Sequence, residues 1–319
     1  MLRFGLCCIF LKEPIKFRRT TAKYLQAFSR NQQLENLSAI CRHNAEALQK
    51  ALRYCRDNKI KDFRINSQIL PLKTHPAIGY RIKELSAHEQ IIRTFKHGGK
   101  FCRDHDVRTT LHPDQFIVLS SPHREVFQRS VADLIYQAEV AQWVNADVIN
   151  IHGGGAYGDK AESLHRLRRR IEQLPDAVRS RLTLENDDRI YTPEDLLPVC
   201  RDMDIPLVYD VHHHRCLPDG SSVEATTELA LATWNREPLF HISSPKHGWE
   251  SGNFRSHHDY IDIADFPQCW QQLQTDITIE VEAKAKELAV LKLIKDLKLK
   301  EHTECFESRL SGMSLPPEE

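Results

Sequence analysis

The chain has 319 residues, 41% of them hydrophobic and 28% charged, a balance that excludes a disordered chain and provides for a large core. Its 44 basic and 44 acidic residues cancel, which excludes a strong overall pull on nucleic acid or membrane and leaves any such binding to a local patch. The opening MLRFGLCCIF is too short to span a bilayer and runs into charged residues, and the 9 cysteines form no CxxC pair, so a cytoplasmic protein with reduced core thiols is expected.

In chain order, residues 2–9 read as a strand and 32–57 as a helix with Leu34, Leu37, Ile40, Cys41, Ala45, Leu48, Leu52 and Cys55 on one stripe. DFRIN (62–66) reads as a strand, followed by a helix over 86–104 that the pair Gly98-Gly99 is expected to disturb. RTTLH (108–112) is a strand, 121–144 an amphipathic helix, DVINIH (147–152) a strand and 159–174 a helix. LTLEN (182–186) is a strand, and Thr192-Pro193-Glu194-Asp195 opens the next helix with a capping residue, a first-turn proline and two acids at the positive end of the dipole. PLVYDVH (206–212), LFHIS (239–243) and ITIEVEA (277–283) are strands, with helices over 222–235, 266–274 and 286–299.

These make eight strand–helix units whose strands are apolar on both faces, as a helix-covered parallel sheet requires. The count favours an α/β fold of the closed (β/α)₈ TIM-barrel type over a doubly wound sheet, and no GxGxxG follows any strand. One domain over 1–300 is expected, with 301–319 as a loose C-terminal tail.

Active sites of such barrels lie at the C-terminal ends of the strands. Those ends carry Asn66 and, later, His75, then His112, His152, Glu185, Asp210 with His212 to His214, His241, and Glu280 with Glu282. Each residue alone is ordinary; imidazoles and carboxylates repeated around one rim suit a multi-metal site. HPDQF (112–116) holds His112 extended before Pro113 and sets Gln115 and Phe116 on a loop at the mouth. HGGGAYGDK (152–160) offers backbone N–H groups to an anion, with Lys160 adding charge. In LENDD (184–188), Glu185 is the best bridging carboxylate and Asn186 follows it. Asp210 and His213 stand three apart where a strand becomes a loop, and Glu280 and Glu282 share one strand face. The run Arg166, Arg168, Arg169, Arg170 reads as a solvated helix face, with a phosphate-backbone patch as the alternative.

Together FRINSQILPLKTH (63–75), HPDQF, HGGGAYGDK, LENDD, DVHHH (210–214), HISSPK (241–246), SHHDYI (256–261) and EAKAKELAVLKL (282–293) resemble, in order, the UV damage endonuclease family, whose TIM-barrel fold is related to endonuclease IV. The resemblance implies a metal-dependent DNA repair endonuclease that nicks damaged double-stranded DNA immediately 5′ to UV photoproducts and related lesions. It implies two or three divalent ions per chain, manganese foremost, held by His112, His152, Glu185, Asp210, His213, His241, His257 and Glu282, with His75 nearby. Catalysis would fall to Glu185, His112, His152, Asp210 and Glu282, and DNA contacts to Gln115, Phe116, Lys160 and Asn186, Gln115 probing the strand opposite the lesion. No membrane or protein partner is implied, and a monomer is expected.

The chain departs from the family in places. Phe116 stands where a tyrosine is frequent, and Leu6 and Phe10 where some members have tyrosine and asparagine. Leu239 replaces a carboxylated lysine that binds metal in some members, which implies that the ion nearest His213 and His241 is held more weakly. Glu280 duplicates the acid of the EAK motif, so either it or Glu282 can be the ligand. A metal-dependent sugar isomerase is the main alternative, because it uses the same strand-end residue types on the same barrel.

Overall fold

In the computed structural model, which describes residues 1–298, the eight apolar runs form a closed parallel barrel in the order β1 to β8. The elements are β1 (Leu2–Cys7), α1 (Ala22–Leu25), α2 (Arg30–Asp57), β2 (Asp62–Ile65), α3 (His88–His105), β3 (Arg108–Leu111), α4 (Arg124–Val144) and β4 (Val148–His152). There follow α5 (Lys160–Ile171), α6 (Asp176–Arg179), β5 (Leu182–Glu185), α7 (Pro193–Met203), β6 (Leu207–Asp210) and α8 (Val211–Cys216). The chain continues through α9 (Val223–Leu231), β7 (Leu239–Ile242), α10 (Gln268–Gln271), β8 (Ile277–Val281) and a helix over 287–298, α11. The (β/α)₈ reading therefore holds. The helix expected over 266–274 is shorter, a 3₁₀ turn at Ile263–Asp265 preceding α10. The tail expected over 301–319 lies outside the described residues.

Local chemistry explains the element ends. Thr192 caps α7 with a reciprocal bond: its Oγ1 accepts from the Asp195 N–H at 3.3 Å, and the Asp195 carboxylate accepts from the Thr192 N–H at 2.8 Å. Gly98 and Gly99 do not disturb α3, contrary to the sequence expectation; both lie buried within it. Their reason is tertiary. A Cβ on Gly99 would come within 2.7 Å of the Trp143 carbonyl oxygen, so the absence of a side chain lets α3 meet the end of α4 backbone to backbone.

The main apolar core lies between the strands and the helices, with Phe63, Phe95, Tyr209, Phe240 and Trp270 among its fully buried side chains. Inside the barrel the filling is mostly polar. Val148, Val208 and Leu239 form a separate small cluster, with Trp234 packed against it. Near the N-terminal rim, Arg3 pairs with Asp106 and Glu237, and Arg108 with Asp147. The next layer contains Asp62, Arg64, Thr110 and Glu280. Among the described residues all cysteines are free, most of them buried, and no helix is long and apolar enough to cross a membrane.

The two glycines of α3 make a contrast that urea unfolding can read. Gly98 faces only the end of the Leu52 side chain, at 3.3 Å, so Gly98→Ala is expected to be neutral or to stabilise by up to about 1 kcal/mol through helix propensity. Gly99→Ala is expected to destabilise by about 1–3 kcal/mol, because backbone atoms must move to admit the methyl group. Equal effects at the two positions would contradict the close approach of α3 and α4.

Candidate metal centre

β5 ends in Glu185, and the mouth of the barrel is arranged around that carboxylate, which is fully buried. Its Oε2 accepts a hydrogen bond from Asn150 Nδ2 at 2.5 Å and lies 2.9 Å from His112 Nε2 and 4.0 Å from His152 Nε2. Its Oε1 lies 3.2 Å from His241 Nδ1 and 3.4 Å from His213 Nδ1, yet has no hydrogen-bond partner. Three sets of ligand atoms lie within 4.8 Å of one another: His112, His152 and Glu185; Glu185, Asp210 and His213; and His112, His241 and Glu282. His257 joins from the 244–260 loop, its Nδ1 3.7 Å from Glu282 Oε2.

The donor set fits divalent cations. Glu185 Oε1, Asp210 Oδ2, His152 Nδ1 and His241 Nδ1 are buried without a hydrogen-bond partner, an arrangement that is costly unless something cationic meets them. His112 adds a second sign. Its Nδ1 is 3.2 Å from the Pro113 carbonyl and its Nε2 is 2.9 Å from Glu185. A neutral imidazole has one N–H, so it cannot donate to both oxygens; a second proton or a cation must stand between the ring and one of them. Imidazole nitrogens and carboxylate oxygens together suit zinc, manganese or similar ions.

The local potential points the same way. Burial works against an imidazolium at His213, but Asp210 and Glu185 raise it well above the ordinary histidine value. Burial is likewise outweighed at His241, which Glu185 in particular pushes up to about 10. Burial lowers His152. Burial alone would raise Glu185; the imidazoles of His152, His241 and His112 hold it well below the usual carboxylate range. A field that holds extra protons on two rings is one that draws cations.

Beneath this cluster lies Arg64, which sequence reasoning did not single out. Its Nη1 pairs with Glu282 at 2.6 Å, its Nε donates to Glu280 at 2.5 Å, and its Nη2 is 3.1 Å from His241 Nε2. Glu280 also accepts from Thr110 and lies 2.9 Å from His241 Nε2. Glu280 thus orients the ring and leaves Nδ1 facing Glu185 and Glu282, the carboxylate–histidine device that aims metal ligands. Of the two candidate acids, Glu282 is the one that stands with His112 and His241 at the mouth. Burial acts to raise both acids, but Arg64 holds Glu280 and Glu282 low. Asp62, in the same layer, is raised well above the usual range by burial and by Glu280. Arg64 was legible in principle: it is a charged residue at an inward position of a strand otherwise suited to the core.

The residues proposed for DNA contact divide. Gln115 and Phe116 are exposed on the β3–α4 segment, Phe116 at 76%. Asn186 does not reach the mouth, contrary to expectation. It is fully buried, its amide donating to the Asp210 carbonyl at 2.9 Å and its oxygen accepting from the Asp210 N–H at 3.0 Å, so it positions Asp210. Lys160 is not a free charge for the glycine loop, because Asp195 pairs with it at 2.6 Å. His75 stands beside Gln115 and Phe116 on a cavity of about 630 Å³, away from the cation ligands. Leu239 keeps the inward register of His241 but packs on Val148 and Val208 below the mouth. The neutral chain does concentrate charge locally: Arg19, Lys284 and Lys286 border a cavity of about 300 Å³ shared with His112, His257 and Glu282.

Comparison with known proteins is consistent along the whole chain. Residues 2–311 match the family described as UV-endonuclease UvdE. A UV DNA damage endonuclease of Bacillus velezensis is 35% identical over 311 residues, covering 93% of this chain and 94% of its own. The crystal structure of SacUVDE matches with a TM-score of 0.83 at 27% identity, covering 94% of this chain and 99% of that one. Endonuclease IV from Thermus thermophilus matches with a TM-score of 0.57 at 14% identity, covering 94% and 99%, a likeness of fold alone.

Replacing Arg64 tests the layer beneath the cluster. Arg64→Met leaves Glu280 and Glu282 buried without their cation and is expected to lower stability by about 3–5 kcal/mol at neutral pH. In wild type both acids are held low and stay charged between pH 7 and pH 4, so most of the stability they contribute is kept there. Without Arg64 burial raises them, and in the variant they take up protons over that range, which relieves the cost of burying them. The deficit of the variant should therefore shrink on acidification. Urea unfolding from pH 7 to pH 4 reads it, and a deficit independent of pH would contradict the assignment.

Proposed function

The chain belongs to the UV-endonuclease UvdE family and is a DNA repair endonuclease, and from that premise we propose that it hydrolyses the phosphodiester immediately 5′ to UV photoproducts and related lesions, using two or three divalent cations, manganese foremost. The observation that carries the reading is the convergence of unpartnered ligand atoms on Glu185 at the barrel mouth.

In this reading His112, His152 and Glu185 would hold one cation and Glu185, Asp210 and His213 a second, with Glu185 common to both sets. His112, His241 and Glu282 would offer a third set, with His257 beside Glu282 as a further donor. Bound divalent cations would supply an activated water and neutralise charge on the phosphate being cleaved. The chain's own part is positional: Asn150 holds Glu185, Asn186 holds Asp210, and Glu280 with Arg64 holds His241 and Glu282. Leu239, packed on Val148 and Val208 below the mouth, would supply no ligand to any of these sets. Arg19, Lys284 and Lys286 supply the local positive rim for a DNA backbone that the neutral chain as a whole does not attract.

Gln115 and Phe116 serve as the wedge that occupies the stack when the damaged bases leave it. Flipping bases costs a few kcal/mol, less when damage has already weakened their stacking. Phe116 lacks the hydroxyl frequent at this position and acts by stacking alone. The sugar-isomerase alternative retains only the shared barrel.

A plasmid assay tests the proposal. UV-irradiated supercoiled plasmid should be nicked in proportion to added Mn²⁺ and untreated plasmid spared, with EDTA abolishing the reaction. Glu185→Gln should fold normally by circular dichroism and lose more than about tenfold in rate, over about 1.4 kcal/mol. Irradiated and untreated plasmid surviving equally across the manganese titration, or isomerisation of a ketose in place of nicking, would overturn it.

A further inference from the structure

The arginine run of α5 is a solvated face only in part, with Arg169 exposed and Arg168 half-buried. Arg168 and Arg169 pair with Asp202 at 3.0 Å and Glu162 at 3.2 Å. Arg166 and Arg170, four apart and so on one face of the helix, turn to the β3–α4 segment. Arg166 Nη1 donates to the Ser120 carbonyl at 2.9 Å. Arg170 Nη1 donates to the Leu119 carbonyl at 2.9 Å and to the Ser121 carbonyl at 2.5 Å. Its guanidinium also lies 4.3 Å over the Phe127 ring at the start of α4. Two side chains thus satisfy three consecutive carbonyls in a buried stretch that has no strand or helix to satisfy them.

The rest of the segment is anchored as well. Its first residue, His112, belongs to the metal cluster, and the Val118 N–H donates to Ser130 Oγ at 2.9 Å. The glycine loop packs directly on its end: a side chain at Gly154, whose φ is 91°, would lie 2.4 Å from Ser120 Oγ. Asp114, Gln115 and Phe116 are what project from this frame.

We propose that Arg166 and Arg170 are positioning residues for lesion recognition: by pinning residues 119–121 to α5 they hold Gln115 and Phe116 out as a pre-ordered wedge. The inference rests on the wedge reading of those two residues. An ordered wedge does not lose conformational freedom on entering the duplex, and binding gains accordingly. The arginines touch neither DNA nor the reacting phosphate, so their effect falls on binding of damaged duplex and leaves the chemical step alone.

Steady-state cleavage of a duplex carrying one thymine photodimer, with Mn²⁺, tests this in wild type, Arg170→Met, Gln115→Ala/Phe116→Ala and the triple variant. Arg170→Met should raise KM about tenfold or more with kcat within about twofold. In the Gln115→Ala/Phe116→Ala background the same substitution should change KM by less than about twofold, because an effect transmitted through the wedge disappears with it. Arg170→Lys keeps the charge but not the rigid fork; its KM should fall between, and it stands in if the methionine variant does not fold. Equal KM effects in both backgrounds, or no effect of either Arg170 variant beside a wedge variant that loses affinity, overturns the clamp alone. If Gln115→Ala/Phe116→Ala itself leaves KM unchanged, the wedge reading fails and the clamp with it.

Discussion

The site depends on Arg64, a buried guanidinium that holds two glutamates and touches a histidine at the centre of the barrel. A barrel interior filled with aliphatic side chains is neutral and self-sufficient. This one places Asp62, Glu280 and Glu282 where water does not reach them freely, and three acids with no cation would be too costly to bury. Arg64 removes most of that cost and, through Glu280, fixes the ring of His241. One layer higher, among the described residues, no lysine or arginine plays that role. There the carboxylates of Glu185 and Asp210 keep oxygens without partners and face the rings of His213 and His241, a donor set that fits cations. In the lower layer Arg64 answers Glu280 and Glu282, while Asp62, whose oxygens also lack hydrogen-bond partners, is pushed toward its neutral form by burial and by Glu280.

Much of this was legible before the fold was known, because the signals are local. Strand length and helix periodicity give eight units, and a ligand-type residue at the end of a strand in a closed barrel has one place to go. His112, His152, Glu185, Asp210 and His241 are found that way. What was hidden depends on partners far along the chain. Arg64 meets Glu280 across 216 residues, and Lys160 meets Asp195 on another helix. Asn186 follows Glu185 immediately and so looks like a mouth residue, yet the alternation of the strand turns it outward from the barrel to bind the Asp210 backbone. Gly98-Gly99 carries a helix-breaking signal that a close approach between two helices overrides.

The mouth therefore joins two kinds of construction. Three of the proposed ligands, Glu185, Asp210 and His241, stand on strand ends, and each is oriented by a second group: Asn150, Asn186 and Glu280 in turn. The proposed wedge, Gln115 and Phe116, stands on a loop, which would ordinarily be mobile. Here the loop begins at a ligand, His112, and ends under two arginines. Under the proposed function, this loop would set the recognition residues and the cation site at a fixed separation.

The most direct measurement of the central claim is anomalous diffraction from crystals of the protein grown with Mn²⁺. The expected result is strong peaks among His112, His152, Glu185, Asp210 and His213, with both oxygens of Glu185 bonded to ions and the contact between His112 and Glu185 replaced by a shared cation. Manganese absent from this cluster, or bound elsewhere while Glu185 still takes a hydrogen bond from His112, would contradict it.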